Sequence, residues 1–231
     1  MDKADLTAIR AKIDALDTEL RDILYRRAQV VAQVASIKEA ATLPIRIWRE
    51  AAQLAEIVAW QKTHPEVPLP TLLAIWREVI GASLAQQGDI EICADAEVAP
   101  LARAYFGAAV TYCGVDAPHH HKMVRVVAPA QCPISKDKDE NEFVFMRLPL
   151  IGQGCAFCYG SVPQEKGTDD VTLIRSAEKI ETCVFESETE LETFYFCEVS
   201  GAHTRDDIKN TYNAVWLGVY PRPLVLEGGV L

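Results

Sequence analysis

The stretch LTAIRAKIDALDTELRDILYRRAQVVAQVASIK, residues 6–38, decides the fold of the first part of the chain. Its apolar side chains recur at alternating spacings of three and four: Leu6, Ile9, Ile13, Leu16, Leu20, Ile23, Val30, Val34 and Ile37. Such a heptad seam is typical of a helix that packs against other helices. No glycine or proline interrupts residues 5–42, so the pattern predicts one helix of roughly 55 Å. A helix of that length needs a partner, most simply a second copy of itself.

Two further helices are predicted before residue 88. Pro44 ends the first helix, and a second helix runs from about Ile45 to Lys62. The segment 64–70 contains three prolines and forms a turn. Its last proline suits the first position of a third helix, which runs to Gln87 and stops at Gly88. The first part of the chain is therefore predicted to be an all-α, three-helix domain.

Charge and cysteine content divide the 231 residues near Gly88 and Asp89. Residues 1–88 carry 11 Lys+Arg and 11 Asp+Glu, so the whole net charge of −10 belongs to the remainder. All seven cysteines also lie in the second part. This difference in charge and cysteine content between the two parts predicts two domains, 1–88 and 89–231. The acidic excess argues against nucleic acid or an anionic membrane as a partner.

The sequence shows no feature of export or of membrane insertion. It has no run of about 18 apolar residues, and its charged start lacks the apolar stretch of a signal peptide. We therefore expect a cytoplasmic protein. In that compartment the seven cysteines are expected to remain thiols and not to form disulfides.

Cations interrupt and flank the apolar seam. Arg27 occupies a position where the spacing calls for an apolar side chain. It either bends its stem to the surface or binds an anion inside a helix bundle. Lys38, 11 residues later, lies on nearly the same face, whereas Arg10 lies roughly 25 Å before Arg27. An antiparallel dimer could bring Arg10 of the partner subunit to Arg27.

These residues, together with PIRIWRE at 44–50 and ASLAQQ at 82–87, resemble the all-helical (AroQ) class of chorismate mutase. The resemblance covers about residues 5–88. It implies an intertwined homodimer of three-helix chains with two shared active sites. It also implies the conversion of chorismate to prephenate in phenylalanine and tyrosine biosynthesis, an isomerase reaction that uses no cofactor and no metal.

The resemblance also implies roles for single residues. Arg10 of the partner subunit and Arg27 would hold the two substrate carboxylates. Lys38 and Gln87 would donate to the ether oxygen of the breaking bond. The remaining contacts would come from three residues, with Arg49 and Ser83 on the carboxylate side and Glu50 at the ring hydroxyl.

The tetrapeptide Ile-Trp-Arg-Glu occurs twice, at 47–50 and at 75–78. Only the first copy matches the family's Arg-Glu position. In the second copy Trp76 is expected to face the bundle. Arg77 and Glu78 are expected on a solvated face, so that Arg77→Ala should change activity little. Ser83 and Gln87 are four residues apart and share one helix face, which alone could also be the polar end of an exposed helix.

The chain departs from the family pattern in two ways. The span from Lys38 to Arg49 is one residue shorter than expected, and Ile47-Trp48 replaces an acid that usually precedes the Arg-Glu pair. Glu50 is then left to bind the ring hydroxyl. Two alternatives stay open: a related isochorismate–pyruvate lyase, and a non-catalytic dimer that binds aromatic-pathway metabolites and regulates.

Residues 89–231 are predicted to form an α/β (α+β) domain of unknown role. A strand at 89–93, a helix at 97–106 and a strand at 109–112 begin it. Later strands are expected at 142–147, 155–159, 171–175, 194–199 and 214–219. At the level of topology the domain resembles a diverged prephenate dehydratase. It is expected to be degenerate, because the Gly-Pro-Gly-Ser and Thr-Arg-Phe motifs of that enzyme are missing. Cys155 and Cys158 form one Cys-x-x-Cys, and His119–His121 a triplet, but neither has the second pair of a zinc site, so buried free thiols are expected.

Overall fold

The computed structural model describes residues 3–37, 43–114, 116–118, 120–132, 142–149, 151, 155–163, 165–180, 182–188 and 193–224. The chain divides into two compact units, Met1–Glu39 and Ala40–Leu231. Lys38 lies outside the described residues. Among those that are described, no helix is both long enough and apolar enough to cross a membrane.

The first unit is one helix, α1, Lys3–Ile37. It confirms the long helix predicted from the heptad spacing. Its seam is exposed to solvent, with Ile13 51%, Leu16 62% and Leu20 51% exposed. Hydrogen bonds within the helix include that from Thr18 Oγ1 to the carbonyl of Asp14, four residues earlier. An apolar stripe of this length is typical of a helix that associates with another helix.

The second unit opens with the two other helices. Helix α2 spans Ile47–Thr63 and α3 spans Leu69–Gln87. Pro70 lies in the first turn of α3, where its missing N–H has no partner to lose. Gly88 follows the last residue of α3, as the sequence predicted.

A five-stranded sheet follows in the order β2-β1-β3-β5-β4. Its strands are β1 Glu91–Ala94, β2 Thr111–Cys113, β3 Met123–Val127, β4 Phe143–Leu148 and β5 Ala156–Gly160. Strands β1, β2 and β3 are parallel, and β5 pairs antiparallel with β3 and β4. Helix α4, Ala99–Phe106, connects β1 to β2. A short 3-10 helix, Pro129–Gln131, follows β3.

A second sheet is antiparallel, in the order β7-β8-β6-β9. Its strands are β6 Asp170–Ser176, β7 Cys183–Glu188, β8 Thr193–Ser200 and β9 Val215–Pro221. Helix α5, Arg205–Tyr212, begins with a capping box and precedes β9. The two sheets meet where Gly218 of β9 crosses Val144 of β4. The backbones approach so closely that a Cβ at Gly218 would collide with the Val144 carbonyl.

Helices α2 and α3 share one apolar core with the five-stranded sheet. That core includes Ile47 and Leu54 of α2, Ile80 and Leu84 of α3, and Phe106 of α4. Compactness divides the chain after residue 39, and this division does not test the 88–89 boundary expected from composition. The domains 1–88 and 89–231 stay a prediction.

Most strands expected in the second part are confirmed, whereas β3, β7 and α5 were not predicted. The expectation that all seven cysteines remain thiols is wrong for one pair, because Cys93 and Cys113 form a disulfide. They face each other across the parallel strands β1 and β2, with Cα atoms 4.7 Å apart. That separation lies within the range that disulfides span.

Candidate functional site

Two of the expected cations lie on α1. Arg10 is exposed and Arg27 is half-buried. The 17 residues between them span roughly 25 Å of helix, so one small ligand cannot contact both on a single chain. This placement agrees with the reasoning that a second chain would have to supply one of them.

Ser83 and Gln87 lie at the end of α3, on one face of that helix. The Ser83 hydroxyl donates to the carbonyl of Val79 at 2.7 Å. The Gln87 amide donates to the carbonyl of Ser83 at 3.0 Å. Ser83 is buried and Gln87 half-buried, so both belong to the edge of the core and not to a fully solvated helix end.

Arg49 and Glu50, next to each other in α2, lie in different environments. Arg49 is exposed, whereas Glu50 is only 5% exposed. The Oε2 atom of Glu50 accepts from Arg77 Nη1 at 3.2 Å and from the Tyr105 hydroxyl at 2.7 Å. Glu50, expected to bind a substrate hydroxyl, therefore already has two protein donors.

The expectation that Arg77 lies on a solvated face is wrong. Arg77 is 7% exposed, and its guanidinium carbon lies 4.1 Å from the centroid of the Tyr105 ring. Its Nη2 atom is buried without a hydrogen-bond partner. Burial raises the pKa of the Tyr105 hydroxyl well above its ordinary value, and the carboxylate of Glu50 also raises it, although the charge of Arg77 opposes both effects. Tyr105 thus stays protonated and acts as a donor.

The start of α2 has contacts with the later chain as well. The indole N–H of Trp48 donates to Asp170 Oδ1 at 2.7 Å, and both side chains are buried. The second oxygen of Asp170 accepts from the backbone N–H of Gly167 at 2.9 Å. Arg46 pairs with Glu165 at 3.1 Å. Trp48 therefore anchors α2 to the start of β6.

Helices α3 and α4 approach each other closely. A Cβ on Gly81 would collide with the carbonyl of Phe106. The Glu78 carboxylate accepts from the backbone N–H of Ala108 at 3.0 Å, just beyond α4. Glu78 is exposed, as expected. Its carboxylate nevertheless binds the backbone segment that follows α4.

Sequence reasoning missed Arg77, Tyr105 and Asp170. For Arg77 a signal was present, because the buried stripe of α3 runs through Leu73, Arg77, Ile80 and Leu84 with spacings of four, three and four. The same spacing identified Arg27. For Tyr105 and Asp170 no local signal existed, since their partners lie 55 and 122 residues away.

The Cys-x-x-Cys segment has the properties of a buried strand. Cys158 is fully buried in β5 and Cys155, just before it, is half-buried; both are free thiols. Burial raises the pKa of Cys155 to about 12 and that of Cys158 well above its ordinary value. Within the described ranges, no three His, Cys, Asp or Glu side chains are grouped so as to hold a metal ion. Of the His triplet, His120 contacts Glu91 at 3.0 Å, and His119 lies outside the described residues.

Comparison with known proteins identifies one segment. Residues 9–88 match the family described as chorismate mutase type II. A bifunctional chorismate mutase/prephenate dehydratase of Aquifex aeolicus (strain VF5) is 29% identical over 118 residues, which is 49% of this chain and 31% of that protein. The T-protein of Enterobacter agglomerans is 45% identical over 53 residues, 22% of this chain and 14% of that protein. The chain thus spans less than a third of the length of these curated relatives. No solved structure matches it.

Proposed function

We propose, from the match of residues 9–88 to the chorismate mutase type II family, that this chain rearranges chorismate to prephenate in aromatic amino-acid biosynthesis. The family match, with Arg10, Arg27 and Lys38 at the spacings on which the resemblance rests, is the observation that carries the proposal. One relative supports it, since that protein is named a bifunctional chorismate mutase/prephenate dehydratase.

The chemistry suits a site made of donors alone. The rearrangement is concerted and unimolecular, so the protein supplies no nucleophile and no general base. It selects a compact conformer of the substrate and stabilises the negative charge that grows on the ether oxygen. In the proposed site Lys38 and Gln87 donate to that oxygen, while Arg27, Arg49 and Ser83 hold the carboxylates.

The proposed active form is a homodimer. The exposed seam of α1 supports it, because all eight of its residues from Leu6 to Val34 are at least 37% exposed. A second copy of α1 would bury that stripe by heptad packing. The same association would bring Arg10 of the partner subunit to the Arg27 site, which the length of α1 forbids within one chain.

The test is a direct assay of chorismate consumption and prephenate formation by the purified chain, with prephenate dehydratase and isochorismate–pyruvate lyase assayed in parallel. Lys38→Ala should lower kcat/KM by at least about a hundredfold, the effect of removing one charge-stabilising donor. Lys62→Ala, which removes an exposed cation from the last turn of α2, is the matched control and should change it little. Lyase activity without mutase activity, or equal losses from both variants, would refute the proposal.

The shared site has its own test. Arg10→Ala and Arg27→Ala chains should each be inactive, and refolding them together should restore activity. Each mixed dimer would contain one site with both arginines and one with neither. A mixture that is dimeric but inactive would show that Arg10 does not act across the interface.

A further inference from the structure

A helix outside the family-matched segment reaches the side chain that the proposed site needs for the substrate's ring hydroxyl. Helix α4 begins at Ala99, eleven residues after the match ends at Gly88. Its Tyr105 hydroxyl donates to Glu50 at 2.7 Å, and its ring lies under the Arg77 guanidinium. Arg77 donates to the same carboxylate oxygen.

The contact is fixed from several directions. Glu50, Arg77 and Tyr105 are each less than 10% exposed. Gly81 lets α3 approach the carbonyl at the end of α4, and Glu78 binds the backbone that follows it. Tyr105 therefore has a single position relative to α2 and α3, and water does not compete for its hydrogen bond.

We infer that Tyr105 and Arg77 are positioning residues for Glu50, so that residues beyond the mutase-type segment help to build its substrate site. The inference rests on the proposed function. Both donors bind the Oε2 atom of Glu50, which orients the second oxygen, Oε1, as the acceptor for a substrate hydroxyl. Because Ile47-Trp48 stands where the family has another acid, Glu50 alone would carry that contact.

The two copies of Ile-Trp-Arg-Glu then have connected roles. The first copy contributes the glutamate, Glu50, that would meet the substrate. The second copy contributes the arginine, Arg77, that holds this glutamate in place. Neither role is visible from the tetrapeptide alone, since the two side chains meet only after α2 and α3 fold against α4.

The experiment compares Tyr105→Phe with Tyr112→Phe. Both changes remove one hydroxyl from the surroundings of α4, but the Tyr112 hydroxyl donates to the Gly107 carbonyl at 2.7 Å and does not reach Glu50. Tyr105→Phe should lower kcat/KM for chorismate about tenfold, the scale of a lost hydrogen bond to a charged group. Tyr112→Phe should leave kcat/KM for chorismate within about twofold. Both variants should lower Tm by a similar amount, because each loses one hydrogen bond.

A substrate analogue that lacks the ring hydroxyl separates positioning from general damage. Tyr105→Phe should leave kcat/KM for this analogue nearly unchanged, so the preference for chorismate should fall about tenfold. In a Glu50→Ala background, which removes the acceptor, Tyr105→Phe should add no further loss. Equal losses for both substrates, or equal losses from the two tyrosine variants, would overturn the inference.

Failure of the proposed function would look different. If the wild-type chain does not convert chorismate, the mutase proposal fails. The contact itself is then read from a double-mutant cycle on thermal unfolding with Glu50→Ala and Tyr105→Phe. Additive changes in that cycle would show that Tyr105 does not hold Glu50, and strong coupling would support the positioning contact without the activity.

Discussion

Replacement of Arg77 by alanine should destabilise the unit formed by residues 40–231. Arg77 is 7% exposed and Glu50 5% exposed, and their side chains lie 3.2 Å apart. Breaking a buried ion pair from one side leaves an uncompensated charge and costs about 3–5 kcal/mol. Part of this cost is offset, because the buried Nη2 atom of Arg77 has no hydrogen-bond partner and its removal relieves a penalty of about 1–3 kcal/mol.

The expected net loss is about 2 kcal/mol, the difference between the midpoints of these two ranges, which corresponds to a fall in Tm of roughly 4–8 °C for a unit of this size. Tryptophan fluorescence during urea or thermal unfolding measures it specifically. All four tryptophans, Trp48, Trp60, Trp76 and Trp216, lie within residues 40–231. The unfolding of α1 therefore does not contribute to the signal.

The first tetrapeptide supplies the matched control. Arg49 occupies the same place in its copy but is exposed, so Arg49→Ala should change stability by at most about 0.5 kcal/mol. Replacing both members of the buried pair, Glu50→Leu with Arg77→Met, should recover much of the loss, since no buried charge then remains. The reasoning is refuted if Arg49→Ala and Arg77→Ala have equal effects, or if the double variant is less stable than Arg77→Ala.

Three further outcomes are expected. Asp170→Ala leaves the buried N–H of Trp48 without its acceptor and should cost about 1–3 kcal/mol by thermal unfolding, whereas Asp169→Ala, whose partner contact is on the surface, should cost at most about 1 kcal/mol; equal costs would contradict the Trp48 anchor. A fragment of residues 1–92 lacks Tyr105 and Asp170, so its mutase activity should be at least about tenfold below that of the full chain, and full activity would show that the later chain is dispensable. Burial raises the pKa of Cys155 to about 12, so the folded chain keeps the thiol proton at pH 8. Cys155 should therefore be alkylated on the order of a thousandfold more slowly in the folded than in the unfolded chain. Mass spectrometry of the peptides measures both rates, and comparable rates would contradict the burial. By the same linkage, the contribution of this thiol to stability is present below about pH 8.5 and is lost as pH rises towards 12.

The sequence predicted the helices that are specified by residues within or directly beside them. Helix α1 follows from a spacing repeated over many turns, and α2 and α3 follow from the prolines and the glycine that bound them. Helix α5 was missed because only Ile208 of its eight residues is buried, which leaves no periodic stripe to recognise. Strand β7 was missed for a similar reason, since none of its six residues is buried.

The candidate site was only partly accessible from the sequence. The spacing that singled out Arg27 was also present around Arg77, where an arginine interrupts the buried stripe of α3. Tyr105 and Asp170 meet their partners across 55 and 122 residues, and no pattern within one helix or strand predicts such a contact.

The two identical tetrapeptides show that burial, and not residue order, determines what each side chain can do. In the first copy Ile47, Trp48 and Glu50 are buried and Arg49 is exposed. In the second copy Arg77 is the buried member, while Ile75 is 45% and Trp76 38% exposed. Each residue along a helix is rotated by about 100°, so a small difference in how the helix faces the core exchanges the buried and exposed members.

The exchange is also complementary. A buried carboxylate is stable only with a paired and hydrogen-bonded cation, and the copy that buries its glutamate meets the copy that buries its arginine. If one helix faced the core as the other helix does, two like charges, or one unpaired charge, would lie against the Tyr105 ring. The pairing therefore selects how α2 and α3 face each other. It does so at Glu50, the residue whose position the proposed site depends on.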